Sequence, residues 1–472
     1  MTRRLQMPIP RLPTLLAAAV GILLVGLVGA LLLSPPLPLI LSAGFDRASI
    51  SPNADGRNDV AAFAYSLARP ATISLSLVAE SGRTFYFRER QVRGEGDYTV
   101  QFSGVVDGFL HDGESVAGTI ERRLIPNGSY TWHLEASAEG EEMSAQGSLL
   151  IEEGDTPLPI MSEFAIAPAV FSPNQDGVAD RVSINVYLLK DVARLDIFLL
   201  GPNNARIPIS ARIEERQYGE AGRHRYDYEG GIDLGVDPPP DGTYTVVALA
   251  QDHVGQRIRR QGQLTIEQGG KPYAEIVPQS PGVDVAFAVQ PFDERHISSA
   301  AELGEPLPLP DDAASFAHSQ QITAPINGLL VFRLTIENYG DVPIRTSGPP
   351  PGTVYRQDQL AGSLDFFDES GAWRVGIQCE TSTSSFPWRW AIAPDAALTT
   401  VFDEASGNSY RYLPAGERAV VWGGIQLTQV AARNPQNCWA GLIHEDVAIS
   451  LRNNHVGLRS IMIVDPAGDI DS

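Results

Sequence analysis

The chain has 472 residues, enough for several domains, and its 57 acidic against 35 basic side chains give a formal net charge of −22. That balance excludes a nucleic-acid partner held by clustered positive charge. It suits a surface that meets solvent or cations.

In chain order, the first element is residues 14–34, TLLAAAVGILLVGLVGALLLS, an uncharged run behind Arg3, Arg4 and Arg11. A helix needs roughly 20 apolar residues to cross a bilayer, whereas signal-peptide cores usually run about 7–15. No clear A-x-A pattern follows, and no cysteine stands there for a lipid. These features predict a transmembrane signal anchor at 14–34 in preference to a cleaved signal peptide. The positive-inside rule then makes 1–13 a cytoplasmic tail and puts the bulk of the chain, beyond residue 45, outside the cytoplasm.

Next comes a repeat. SPNADGRND at 51–59 and SPNQDGVAD at 172–180 agree at six of nine positions. Each is followed by alternating strands, ATISLSLV from Ala71 and ARLDIFLL from Ala193. Then comes an aromatic-x-Gly, Phe102-Ser103-Gly104 and Tyr228-Glu229-Gly230. A turn-and-strand follows, PNGSYTWHLEA from Pro126 and PDGTYTVVALA from Pro240; Asn-Gly and Asp-Gly favour such turns because they tolerate positive φ. A last strand closes each copy, GSLLIEEG from Gly147 and GQLTIEQG from Gly262. Copy one carries an insertion around VVDGFLHDGESVAGT, from Val105, which is expected on a surface loop. Short strands, frequent turns and about a hundred residues per unit predict β-sandwiches of immunoglobulin-like architecture.

The pattern SPN-x-DG-x-x-D, alternating strands, aromatic-x-Gly and P-(N/D)-G-x-Y resembles the flagellar hook-cap (FlgD-type) immunoglobulin-like module, which recurs in bacterial secreted and cell-surface proteins. The resemblance covers residues 44–155 and 160–269. It implies two tandem modules used as spacers, assembly domains or sorting domains. The family usually has Trp-Asp-Gly where this chain has Phe102-Ser103-Gly104 and Tyr228-Glu229-Gly230. Its Asp after the last turn is kept as Asp252 in copy two and lost from copy one, where Ala136-Ser137-Ala138-Glu139-Gly140 stands.

The repeated loop has two readings. Asn53, Asp55 and Asp59, and likewise Asn174, Asp176 and Asp180, place oxygens at alternate positions beside a glycine, as calcium loops do. Calcium takes about 6–8 oxygens, so carbonyls, waters and, in copy two, Asp252 would have to complete the set. The structural reading has Asn and Asp bonding to nearby backbone N–H groups while Pro and Gly set the turn. It explains every residue type without an ion and is preferred. No cofactor is required by it, and calcium is the only one the sequence suggests.

Residues 270–326, rich in Pro, Ala and acidic residues, read as a linker or an irregular lead-in. Residues 327–466 read as a third β-sandwich, with LTIENYGD resembling an edge found in many bacterial immunoglobulin-like domains. It includes a hairpin at Asn453-Asn454 and a stiff connection RTSGPPPGTVY at 345–355. Cys379 and Cys438, the only cysteines, are expected to form a disulfide in an oxidising compartment. This third holds five of six tryptophans, and Trp388 and Trp390 fall on one face of a strand. They are either core or an aromatic platform for a glycan.

No H-E-x-x-H, G-x-S-x-G or phosphate-binding glycine loop is present, and the eight histidines are scattered. His444-Glu445-Asp446 reads as a solvated turn. The expectation is therefore an all-β chain of tandem immunoglobulin-like sandwiches behind an N-terminal transmembrane helix. It is not an enzyme. It is a membrane-anchored, extracytoplasmic structural or adhesion protein with a protein or glycan partner; the alternative is a carbohydrate-binding surface protein.

Overall fold

The computed structural model describes residues 11–32, 37–210, 217–279, 282–311 and 320–465. A helix, α1, runs over Arg11–Leu32, with side chains described at 16–26. Among the described residues, no helix is long and apolar enough to cross a membrane. Residues 1–10 of the expected tail at 1–13, and residues 33 and 34 of the expected anchor, lie outside the described residues.

The rest of the described residues form strands joined by turns and a few single-turn 3-10 helices. The first module holds β1 (Ile40–Phe45), β2 (Ser49–Ile50), β3 (Ala61–Leu67), β4 (Ala71–Ala79), β5 (Thr84–Arg93) and β6 (Gly96–Phe102), then β7 (Val105–Asp107), β8 (Thr119–Leu124), β9 (Gly128–Ala138) and β10 (Glu141–Ile151). The second holds β11 (Met161–Ala167), β12 (Val170–Phe171), β13 (Val182–Leu188), β14 (Arg194–Leu200), β15 (Arg206–Pro208), β16 (Gly222–Tyr228), β17 (Gly242–Gln251) and β18 (Arg257–Ile266). Sheet β1-β3-β6 faces β2-β10-β9-β4-β5 in the first, and β11-β13-β16 faces a sheet built on β14-β17-β18 in the second. Alternation drives both: in β3 and β13 every second side chain is buried, so Phe63, Tyr65 and Leu67, or Ile184, Val186 and Leu188, fill the gap between sheets.

The shared motifs have physical reasons. Tyr130 Oη donates to Pro126 O at 2.6 Å, and Tyr244 Oη to Pro240 O at 2.7 Å, which ties each P-(N/D)-G-x-Y turn to its strand. Gly230 has φ +75°, and a Cβ there would stand 2.9 Å from Pro173, so the aromatic-x-Gly lies directly against the repeated loop.

The insertion of copy one is a mostly exposed loop between Asp107 and Thr119, as expected, but its two ends are strands. Its hairpin β7-β8 leaves the first module and extends the second module's sheet, giving the order β15-β14-β17-β18-β8-β7. β8 is antiparallel to β18, with Arg257 opposite Arg122 and Arg259 opposite Thr119. Gln256, fully buried, accepts from Leu124 N at 3.2 Å and donates to Asp155 O and Pro157 O at 3.0 and 2.9 Å. The first joint is thus a shared sheet.

The C-terminal domain contains β19 (Ala274–Val277), β20 (Val285–Pro291), β21 (Gln321–Pro325), β22 (Gly328–Asn338), β23 (Ile344–Thr346), β24 (Val354–Arg356) and β25 (Trp373–Cys379). It continues with β26 (Trp388–Ala391), β27 (Thr399–Asp403), β28 (Asn408–Leu413), β29 (Arg418–Gln426), β30 (Gln436–His444) and β31 (Ala448–Val464). Sheet β19-β22-β29-β24, with β20 also on β22, packs on β21-β31-β30-β25-β23-β28-β27. Of the two readings of residues 270–326, these pairings fit the lead-in and not the linker: AEIV and VAFAV are short apolar runs that pair with β22, and β21 lies parallel to β31. No hairpin forms at Asn453-Asn454. β31 runs through as one long, bulged strand, and the buried Asn453 accepts from Ile276 N at 3.0 Å. Cys379 and Cys438 stand opposite each other on β25 and β30 and form a disulfide.

Candidate functional site

Within each repeated loop the side-chain oxygens serve the loop's own backbone. In copy one, Asp59 accepts from Asn53 N, Ala54 N and Gly56 N at 3.1, 2.8 and 2.8 Å. Asn53 accepts from Asp55 N at 3.0 Å and Asp55 from Arg57 N at 2.7 Å. Copy two repeats this: Asp180 accepts from Asp176 N and Gly177 N, Asn174 from Asp176 N, and Asp176 from Val178 N, at 2.7–3.2 Å. The left-handed residues correspond as well, Ala54, Gly56 and Asn58 with Gln175, Gly177 and Ala179.

Their surroundings differ. Residues 54–58 of copy one are exposed, whereas Asn174 is 1 % and Asp176 6 % exposed, because the C-terminal domain covers copy two. Tyr412 Oη donates to Asp176 Oδ2 at 2.9 Å, Arg345 Nε to Asp176 O, and His444 Nε2 to Gln175 O at 2.7 Å. Two glycines with φ +80° allow the backbones to touch: a Cβ on Gly177 would stand 2.0 Å from Ser370 O, and one on Gly371 2.1 Å from Asp176 C.

A buried ionic group stands behind these contacts. Arg345 pairs with Glu369 at 3.0 Å and donates to Ser370 O. Trp373 stacks on His444 with ring centres 4.4 Å apart. Glu445, 4 % exposed, pairs with Arg389 at 2.7 Å and with the fully buried Arg374 at 3.4 Å. Arg374 also donates to Ser347 O and Phe367 O, both at 2.6 Å, so it ties the two segments that present Arg345 and Ser370 to the loop. Of His444-Glu445-Asp446, only Asp446 faces solvent as expected; His444 and Glu445 are buried, and the Glu445 charge meets the buried Arg374 and the half-buried Arg389 instead of water.

Burial sets the electrostatics. It pushes Asp180 up to about 6, with the neighbouring Asp176 charge adding, and it raises Asp176 too. It lowers His444 to about 4, raises Glu445 and Tyr412, and lowers Arg374. Beside the joint lies a cleft of about 390 Å³ lined by Gln175, Asp180, Arg181, Asp233, Ser370 and Asp446, where Arg181 pairs with Asp227 and Asp233.

Asp252 does not join the second loop. It lies past the end of β17, a ten-residue strand whose first residue, Gly242, pairs beside the loop's end of the module. At ~3.3 Å per residue the two are about 30 Å apart. There it accepts from Lys190 Nζ, Gly255 N and Gln256 N at 3.0, 2.9 and 2.8 Å and braces the first joint. The calcium set that included Asp252 is thus not assembled. Among the described residues, no group of three or more His, Cys, Asp or Glu is placed to hold a metal ion.

The glycan platform is overturned as well. Trp390 is fully buried and Trp388 5 % exposed, both in the core between the two sheets. Trp390 Nε1 donates to Thr353 O at 3.0 Å, and its ring stands edge-on to Phe332 and Tyr355. The two tryptophans share a face, and it is the inner one.

No family model matches this chain. No curated protein matches it. Among solved structures, a chimeric titin Z1Z2–Z1Z2 tandem functionalised with a GRGDS exogenous peptide from fibronectin is 10 % identical, with 48 % of this chain and 100 % of that chain covered at a TM-score of 0.19. A tetra-tandem repeat in the extending region of a large adhesion protein is 12 % identical, with 90 % and 92 % covered at a TM-score of 0.16. Superpositions that low carry no argument about this chain.

Proposed function

We propose that this chain is an extracytoplasmic structural or adhesive protein. Two immunoglobulin-like spacer modules, anchored to the membrane through the apolar segment at 14–34, hold the C-terminal sandwich at a fixed distance and orientation. The observation that supports this reading best is the construction of the joints. A flexible tether would use a polar linker. Here the first joint is a β-hairpin shared between modules, and the second is a buried turn held by Arg345, Tyr412 and His444. The loss of the tryptophan platform removes the feature that favoured a glycan-binding alternative.

The test places spin labels at the exposed positions of Val92 in the first module and Leu451 in the C-terminal domain. One narrow distance distribution is expected. A broad one would refute the rigid spacer. Protease added to intact spheroplasts should digest the chain beyond residue 45; protection of that bulk would refute the orientation.

A further inference from the structure

We propose that the outer edge of β10, from Glu142 to Ser148, is a docking edge for an extended, basic strand of another protein. The argument comes from the second module, which shows that edge occupied. Gly147 in GSLLIEEG corresponds to Gly262 in GQLTIEQG, so Glu142, Met143 and Ser144 correspond to Arg257, Ile258 and Arg259. The backbones agree: Leu150 N donates to Ala48 O at 2.9 Å, and Thr265 N donates to Ala169 O at 2.8 Å. Because strand polarity alternates with period two, the N–H groups of Glu142, Ser144, Gln146 and Ser148 point outward with that of Leu150.

In the second module, β8 of the first module fills this edge at Arg257–Arg259. In the first, β2 covers only Leu150 and Ile151, and among the described residues no strand pairs with the rest of that side. An unpaired edge is a template for strand addition.

Charge decides which strand fits. In the filled edge, Glu121 of β8 stands 2.8 Å from Arg257 and 3.9 Å from Arg259. In the free edge Arg257 is replaced by Glu142, which is exposed and has no ion pair among the described residues. The matching strand therefore carries Arg or Lys where β8 has Glu121. On the outer face of the same sheet, a groove of about 530 Å³ crosses β4, β9 and β10, lined in part by Thr72, Ser74, Arg90, Glu135, Ser137, Glu142 and Ser144; its two carboxylates outnumber the one guanidinium. The β8 of a second copy does not supply that strand, because it is already paired and bears glutamate.

The test uses a synthetic hairpin of residues 105–124 in two forms, the natural one and one with Glu121→Arg, titrated onto the full chain. The Glu121→Arg peptide should bind about fivefold more tightly, the scale of exchanging a like-charge for an opposite-charge cross-strand pair. Glu142→Arg in the chain should invert that preference. Ser144→Pro, which removes an outward N–H and no internal ladder bond, should abolish binding of either peptide while melting stays unchanged. Binding indifferent to Ser144→Pro, or no binding at all, would make Glu142 an edge guard and overturn the proposal. Self-association of the chain that Ser144→Pro abolishes would overturn it in favour of a second copy.

Discussion

Two copies of one turn sit at corresponding ends of their modules, each facing the next domain, and they are used differently. Both are held rigid from within by the same carboxylate and amide bonds. Copy one stays in water, because the β7-β8 hairpin and the Lys190–Asp252–Gln256 group make its joint elsewhere. Copy two becomes the joint itself. A pre-shaped polar turn is thus neutral toward function; the residues that meet it decide whether it is a surface or a hinge pin.

The comparison is sharpened most by glycine. Gly177→Ala and Gly371→Ala each drive a methyl into opposing backbone, which should cost about 3 kcal/mol or more and uncouple the C-terminal domain. Gly56→Ala meets open space and should cost only the left-handed penalty, about 1–2 kcal/mol. Equal losses in denaturant melts would mean the second joint is not packed as described.

Next in size are the carboxylates. Asp176→Ala removes the bond to Val178 N and strands the buried Tyr412 hydroxyl, for a loss of about 2–4 kcal/mol. Asp55→Ala removes one local cap bond, for about 0.5–2 kcal/mol. Tyr412→Phe should bring the Asp176 variant's loss down toward the Asp55 value when the two changes are combined; a double variant no more stable than Asp176→Ala alone would contradict the stranded hydroxyl.

Protons give a smaller, signed effect. Asp180 is raised to about 6, so the folded chain holds a proton the unfolded chain has lost, and stability rises as pH falls through 6. Asp176 and Glu445 are raised and act in the same direction. His444, lowered to about 4, works against them: the unfolded chain protonates first, and stability falls as pH drops from 6.5 toward 4. Between pH 7.5 and 5 these contributions oppose one another, so each is read from its variant. Relative to wild type, His444→Gln should gain stability on going from pH 7.5 to 5, and Asp180→Asn should lose it. A pH dependence unchanged in Asp180→Asn would remove that carboxylate from the account.

What the sequence made legible was local. The turn residues, the alternating strands, the tyrosine-bearing turns and the cysteine pair all act over a few positions or as a unique pair. The joint was not legible, because Arg345 and Tyr412 reach Asp176 from 169 and 236 residues away. Nor do the loops themselves show it: the covered Asn174 and Asp176 are the same residue types as Asn53 and Asp55 of the open copy, and where copy two turns apolar, at Val178 and Ala179, the second is exposed. Trp388 and Trp390 show the limit of period two, which puts two side chains on one face without saying which face is inward. Residues 270–326 show the limit of composition: prolines and acids mask short strands whose pairing partners stand about 40 to 140 residues later.

The smallest expected effect is that of calcium, and it bears on whether either copy is anything but a turn. The carboxylate oxygens of Asp59 and Asp180 already accept backbone N–H groups, which leaves fewer of their lone pairs for a cation. Copy two gains nothing from Asp252, which is committed to Lys190 at the other joint. A cation bound only by the folded chain at a hundredfold excess over its Kd would stabilise it by about 2.7 kcal/mol. The expected result is no shift in the melting midpoint between calcium and chelator. The same is expected of Asp55→Ala, whose loop is open to solvent and would be the easier of the two to fill. A midpoint that rises with calcium in the natural chain and not in Asp55→Ala would make copy one a cation site. The difference between the copies would then be one of ligand as well as of cover.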